Sequence, residues 1–224
     1  MALQMSAAVK PTLVADQVYE VLEDAILTGT LAAGHALRVR DLAAMVGTSV
    51  MPVREAIRRL EEAGLATRTP HKGAVVKTFT ATELIHIYAV RTILEVEAAT
   101  QAAPNIGKGD VKRMQASCRK MEDAVAEERI VDALALDEEV LRIFYSASGN
   151  PVLVSTIDQL WLQCRPYKVI GATEALTRKD NSLWTPQPAL VRALAAGDTT
   201  EATTITADSL ASALRRLEQR LETH

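Results

Sequence analysis

The chain is poor in the residues that most enzymes and metal sites draw on. Its 224 residues hold only two cysteines and four histidines. Cys118 and Cys164 stand far apart, without Cys-x-x-Cys or Cys/His spacing, which argues against a disulfide framework and a structural zinc finger. The histidines, His35, His71, His86 and His224, are scattered and offer little to metal or acid–base chemistry. There is no P-loop, no Gly-x-Ser-x-Gly and no paired Cys and His, so nothing supports an enzyme. No apolar run approaches the roughly 18 residues that a membrane span requires. The stretch 1–17 lacks the apolar core and cleavage site of a secretory signal. These absences lead us to expect a cytoplasmic chain with no membrane partner.

What is present is length enough for one large or two modest domains, able to bury a core without disulfide or metal staples. The net charge of −3 speaks against a nucleic-acid binder until it is divided along the chain. Residues 38–77 carry eight Lys/Arg against four acids, whereas residues 80–224 carry sixteen basic and twenty acidic side chains. A basic block followed by an acidic body is the asymmetry to explain.

Val14, Val18, Val21, Leu22, Ala25 and Ile26 fall on one helical stripe, which Gly29 ends. After a turn at Gly34, residues 36–38 read as a short extended piece. Leu42, Ala43 and Val46 make one face of a second helix, closed by Gly47. Ser49 is placed to cap a third through its hydroxyl. Pro52 sits in that helix's first turn, where a missing N–H costs nothing. Val53, Ile57 and Leu60 form its buried stripe, and Ala63-Gly64 stops it. Two β-prone runs, 65–69 and 74–79, flank the basic turn Pro70-His71-Lys72-Gly73. From residue 80 the strand signal vanishes. Thr80-Ala81-Thr82-Glu83 has the pattern of a capping box. It opens a helix to about residue 103, followed by helical patterns over about 108–129, 132–148, 151–171, 187–196 and 199–222. Residues 178–188, with Trp184 and two prolines, read as an irregular loop.

Three helices and a two-stranded ribbon make a winged helix-turn-helix, whose third helix enters the DNA major groove. The run 41–65, centred on Ser49-Val50-Met51-Pro52-Val53-Arg54-Glu55-Ala56, resembles the DNA-binding domain of the GntR family of bacterial transcription regulators. The upstream pattern Ile26, Gly29, Leu31, Gly34, Leu37 and the wing at 70–76 agree with it. The resemblance implies that Arg40, Ser49, Arg54 and the wing tip His71-Lys72-Gly73 contact DNA. Arg54 and Arg58 lie four apart on one helix face, as a pair reading phosphate or guanine would. Ser49 and the helix N-terminus suit a phosphate, and Gly73 lets the wing turn tightly. Arg58 is either a reader or simply solvated, and Lys72 is either specific or a nonspecific charge. Arg59 follows Glu55 by four residues and is expected to pair with it. Where the family commonly has Ser-Arg-Thr-Pro, this chain has Ser49-Val50-Met51-Pro52. Val50 suits a thymine methyl and cannot hydrogen-bond guanine, so Val50 and Met51 point to a different operator.

Three further stretches, 83–95, 137–150 and 190–198, resemble the opening helix, the central motif and the penultimate helix and turn of the FadR-type effector domain. The resemblance implies an antiparallel helical bundle that dimerises and binds a small effector, often a carboxylate. Many members hold a divalent metal there through one Asp and three His. In this chain the acid is Asp137, while the histidine positions fall on Leu141, Gln187 and Ser209, or on Asp208 if the register slips by one. One carboxylate, an amide and a hydroxyl make a poor zinc or nickel site, so no metal and no other cofactor is expected. The expected effector pocket comprises Arg91, Asp137, Leu141, Gln187 and Ser209. Arg91 either grips an acidic effector through two parallel bonds or pairs with Glu95 four residues on. Tyr145, Cys164 and Tyr167 either line the cavity or pack in the core. Leu141 makes the pocket more apolar, favouring a larger or less charged effector, or none.

The expected architecture is mainly α. A disordered tail (1–12) precedes the winged helix-turn-helix (13–78), a linker (79–82) and an all-α antiparallel bundle (83–224). The expected function is a homodimeric repressor on a double-stranded DNA operator, its body sensing a small metabolite that changes operator affinity. The alternative is a DNA-binding dimer whose body only oligomerises.

Overall fold

In the computed structural model, which describes residues 11–70 and 73–222, the chain folds as two units that divide between Thr78 and Phe79. The first unit opens with α1 (Pro11–Leu27), whose leading proline needs no N–H partner at that position. The helix therefore takes in residues 11 and 12 of the expected tail; the rest of that tail lies outside the described residues. Ala15, Val18, Leu22 and Ile26 form its buried face. Val21, placed on that stripe by periodicity, is 55% exposed, since it lies about 100° around the helix from Leu22.

Helices α2 (Val39–Met45) and α3 (Val50–Glu62) follow, and α3 packs across α1 through Val53, Ala56, Ile57 and Leu60. Ser49 holds the N-cap position in extended backbone, but its side chain accepts no bond from the first turn, contrary to expectation. It is exposed. Strands β1 (Ala66–Thr69) and β2 (Gly73–Val76) pair antiparallel, Ala66 opposite Val76 and Thr69 opposite Gly73. The extended piece before α2 joins this wing through a bridge between Ala36 and Val75.

The second unit is helical throughout its described residues. It comprises α4 (Ala81–Ala102), α5 (Lys108–Ala126), α6 (Ile130–Ser146), α7 (Pro151–Thr177), α8 (Pro186–Ala196) and α9 (Thr199–Glu222). The capping box forms as read: Glu83 N–H donates to Thr80 Oγ1 at 3.2 Å, and Thr80 N–H donates to Glu83 Oε2 at 2.8 Å. The expected linker 79–82 is thus no free connector. Phe79 is buried, its ring meets Tyr167 edge-on at 5.9 Å, and α4 begins at Ala81. Burying that aromatic area favours fixing the chain here.

Helix α7 runs six residues beyond the expected end at 171, passing through Pro166 and Gly171. Ala172 and Ala175 are buried, and Ala172 shares a core cluster with Met121, Leu134 and Trp184. Packing of this kind outweighs the weak local propensity. The expected loop 178–188 shrinks to a short stretch with a 3-10 turn, Ser182–Trp184. Its two prolines belong to the first turn of α8, where neither costs a hydrogen bond. The central core is built on the small face of α4, with Ala98, Ala99 and Ala102 against Met114, Val140, Phe144 and Ile157. Among the described residues, no helix is long and apolar enough to cross a membrane.

Candidate DNA-binding face and effector cavity

Helix α3 buries one side and turns Val50, Met51, Arg54 and Arg58 outward. Met51 is 67% exposed and Val50 39%, so neither is spent on the core. The two arginines differ. Arg58 is held by Glu55, Nε to Oε2 at 3.0 Å, and by Glu62 on the next turn. Arg54 is exposed and forms no ion pair among the described residues. The expected pair of Arg59 with Glu55 does not form. Arg59 instead reaches Asp16 and stacks over the Tyr19 ring at 4.3 Å, joining α3 to α1. Spacing along α3 alone could not weigh a partner 43 residues away.

Met51, Arg54 and Arg58 line one hollow with Arg68 of β1 and with Gly73 and Ala74 of β2, so helix and wing share a surface. Arg40 is exposed near the start of α2, and Ser49 is exposed at the start of α3. Gly73 has φ +75°, the left-handed backbone that a tight wing turn needs. His71 and Lys72 lie outside the described residues.

All five expected pocket residues, Arg91, Asp137, Leu141, Gln187 and Ser209, line one cavity of about 450 Å³ in the helical unit. That volume is within the range of small-molecule sites. Tyr145 and Tyr167 line it too, whereas Cys164 is core. Apolar walls come from Leu84, Leu134, Leu190, Ile205 and Leu210. Arg178 and Arg216 are exposed and form part of the rim.

The buried end is a polar network. Glu95, 1% exposed, accepts from Arg91 Nε at 2.7 Å, Trp161 Nε1 at 2.9 Å and Tyr145 Oη at 3.1 Å. Arg91, 4% exposed, also lies over the Tyr88 ring at 4.3 Å. Its Nη1 is buried without a partner, as is Gln187 Oε1. Lys168 Nζ lies 3.3 Å from both Asp137 Oδ2 and Glu138 Oε1, and Arg165 approaches Glu138 from its other side at 3.4 Å.

The electrostatics follow from burial and pairing. Burial raises the Asp137 carboxyl above its ordinary range, against the pull of Lys168. Burial works against the Lys168 ammonium, yet Glu138 and Asp137 outweigh it and keep the group charged above the ordinary lysine value. Burial likewise opposes the Arg91 charge, and Glu95 more than restores it. The Tyr145 hydroxyl is pushed well up, by burial first and by the Glu95 charge second. Burial lifts the Cys118 thiol to about 11 and raises Cys164, leaving both poor nucleophiles.

The residues here do not fit the divalent metal that the family resemblance implies. The Asp137 carboxylate already faces an ammonium, Leu141 has no donor, and Gln187 and Ser209 offer only neutral groups. Among the described residues, no three His, Cys, Asp or Glu side chains are grouped to hold a metal ion.

Reading along the chain missed Lys168, Glu138 and Arg165. The adjacent acids Asp137-Glu138 and the bases Arg165 and Lys168, three apart, were visible as helical charges. Their meeting depends on α6 packing against α7.

Comparison with known proteins agrees with both units. Residues 14–76 match the family model described as bacterial regulatory proteins, gntR family, and residues 86–212 match the FCD domain. The HTH-type transcriptional regulator McbR of Escherichia coli K12 is 26% identical over 170 residues, 74% of this chain and 77% of the relative. A probable D-xylose utilization operon transcriptional repressor of Paenarthrobacter nicotinovorans is 37% identical over 97 residues, 43% of each chain. Among solved structures, E. coli McbR/YncC superposes with TM-score 0.77 at 24% identity, over 93% of this chain and 98% of that one. A putative GntR transcriptional regulator from Rhodococcus sp. RHA1 gives TM-score 0.80 at 22% identity, over 92% and 97%. These likenesses show the fold, and the family models show the kinship. A winged helix-turn-helix ahead of an FCD domain places this chain in the GntR family of bacterial transcription regulators, proteins that bind DNA and are not enzymes.

Proposed function

We propose that the protein represses transcription as a homodimer, and that a small organic acid bound in the helical unit changes its grip on the operator. One observation carries the effector reading. Arg91 Nη1 and Gln187 Oε1 are buried without partners on two residues that line the same cavity. Polar atoms so placed cost about 1–3 kcal/mol each when unsatisfied, and native proteins keep few of them. A ligand with an acceptor for Arg91 and a donor for Gln187 would satisfy both; a hydroxy acid has both groups. Such a regulator works where the operator DNA is, in the cytoplasm.

A thermal-shift screen of small carboxylic acids tests this. The matching acid should raise the Tm, with about 2.7 kcal/mol of added stability at a hundredfold excess over its Kd. Arg91→Lys, which keeps a charge beside Glu95 but loses the forked donor, should lose most of that shift. A flat Tm across the panel would leave the body as an oligomerisation module.

The dimer reading rests on the family and on one exposed face of α4. Val90 is 46% and Ile93 71% exposed beside exposed Ala89, an apolar patch on the outer side of the helix. A second copy applying the same face would bury both side chains twice around a two-fold axis. Ile93→Arg should give a monomer by light scattering and lose most operator affinity, because two half-sites need two heads. An unchanged dimer would move the interface elsewhere.

A further inference from the structure

The charge in this cavity is arranged as if its cation were already in place. Asp137 and Glu138 are neighbours on α6 and point to different sides of the helix. Even so, Lys168 Nζ stands 3.3 Å from an oxygen of each. Its side chain is 16% exposed, and Arg165 takes the other oxygen of Glu138. Two carboxylates are thus matched by two fixed cations. A divalent ion beside Asp137 would bring two further positive charges against an ammonium, in surroundings where like charges repel strongly.

We propose that Lys168 is the resident cation of this cavity, replacing the family's divalent metal, so that an acid effector meets Arg91 and Lys168 directly. The effector's part in this rests on the function proposed above; the place of Lys168 rests on the cavity geometry, and the metal it stands in for on the family resemblance. Asp137 then has a different task from a metal ligand: it anchors the ammonium at the wall of the cavity. Leu141, at a position where many members carry a histidine, adds apolar wall in place of a ligand. The occupant best suited to such a site carries a single carboxylate, because each fixed cation already faces a carboxylate and a second anionic group would meet no free counter-charge.

Titration of the chelator-treated full chain with manganese, zinc and nickel chloride, followed by calorimetry and by Tm, tests the replacement without any effector. The wild type should show no metal binding that Asp137→Asn removes, and no metal-dependent rise in Tm. Lys168→Gln removes the charge and keeps a hydrogen-bond donor; its Tm should fall, and manganese, which suits oxygen ligands, should restore several degrees of the loss. Lys168→Arg should behave as the wild type. Metal uptake by the wild type that disappears in Asp137→Asn would overturn the proposal. So would a folded Lys168→Gln that stays insensitive to all three metals, the result expected of an ordinary structural ion pair. Should Lys168→Gln not fold, the wild-type titration alone decides. Because no acid enters these measurements, a blank acid screen would remove the effector reading and leave this result intact.

Discussion

Glu95→Ala should cost about 3–5 kcal/mol of stability, the range for breaking a buried ion pair from one side. At about 3 °C per kcal/mol for a chain of this size, the Tm falls by roughly 10 °C. Three donors converge on this carboxylate: Arg91 Nε, Trp161 Nε1 and Tyr145 Oη. Alanine strands two neutral donors and leaves the guanidinium of Arg91, already 4% exposed, without its counter-charge. Glu95→Gln keeps the volume and one acceptor oxygen and should lose less. Adding Arg91→Met to Glu95→Ala should return part of the loss, because the uncompensated charge then disappears. Scanning calorimetry of the four proteins checks the order. A Glu95→Ala protein melting within about 2 °C of wild type would show that the network carries little of the stability.

The second large effect belongs to the head. Arg54→Ala should weaken operator binding by about 1–3 kcal/mol per head, so by roughly 30-fold or more for a dimer that uses two heads, every 1.4 kcal/mol being about tenfold. Arg58→Ala should cost clearly less than Arg54→Ala, because its exposed guanidinium already serves two carboxylates. Anisotropy titrations at physiological salt, on DNA selected by the wild-type protein, separate the two, phosphate contacts being salt-sensitive. Equal losses would mean that Arg58 leaves Glu55 and Glu62 to meet DNA. Full affinity in Arg54→Ala would remove α3 from the reading position assigned to it. Val50 and Met51 are exposed, which leaves them free to meet thymine methyls, the contact expected in place of an arginine's to guanine.

Much of this was legible in order along the chain because it is local. The capping box at Thr80 and Glu83 formed as read, and Gly29, Gly47, Gly64 and Gly197 adopt the positive φ of helix stops. The wing pairs as its two β-prone runs suggested, though β2 ends at Val76. Local reading failed where a neighbour distant in sequence intervened. Ala172 and Trp184 carry α7 past the end expected at about residue 171. Arg59 ignores Glu55 for Asp16 because α1 lies against α3.

The cavity shows the same division. Positions four apart on α6, and others on α4, α8 and α9, were enough to nominate five wall residues from spacing and family register, and all five line one cavity. Spacing also named Glu95 as a partner for Arg91, with an effector as the alternative. Packing decided that the ion pair forms on Nε while Nη1 remains without a partner. It also brought Lys168 to Asp137 across 31 residues of sequence. Sequence by itself determined the helices, the wing, the basic head and the acidic body, since propensity, capping and charge are properties of short segments. Only the tertiary structure decided which charges meet, because ion pairing depends on distances of a few ångströms that helix packing alone sets.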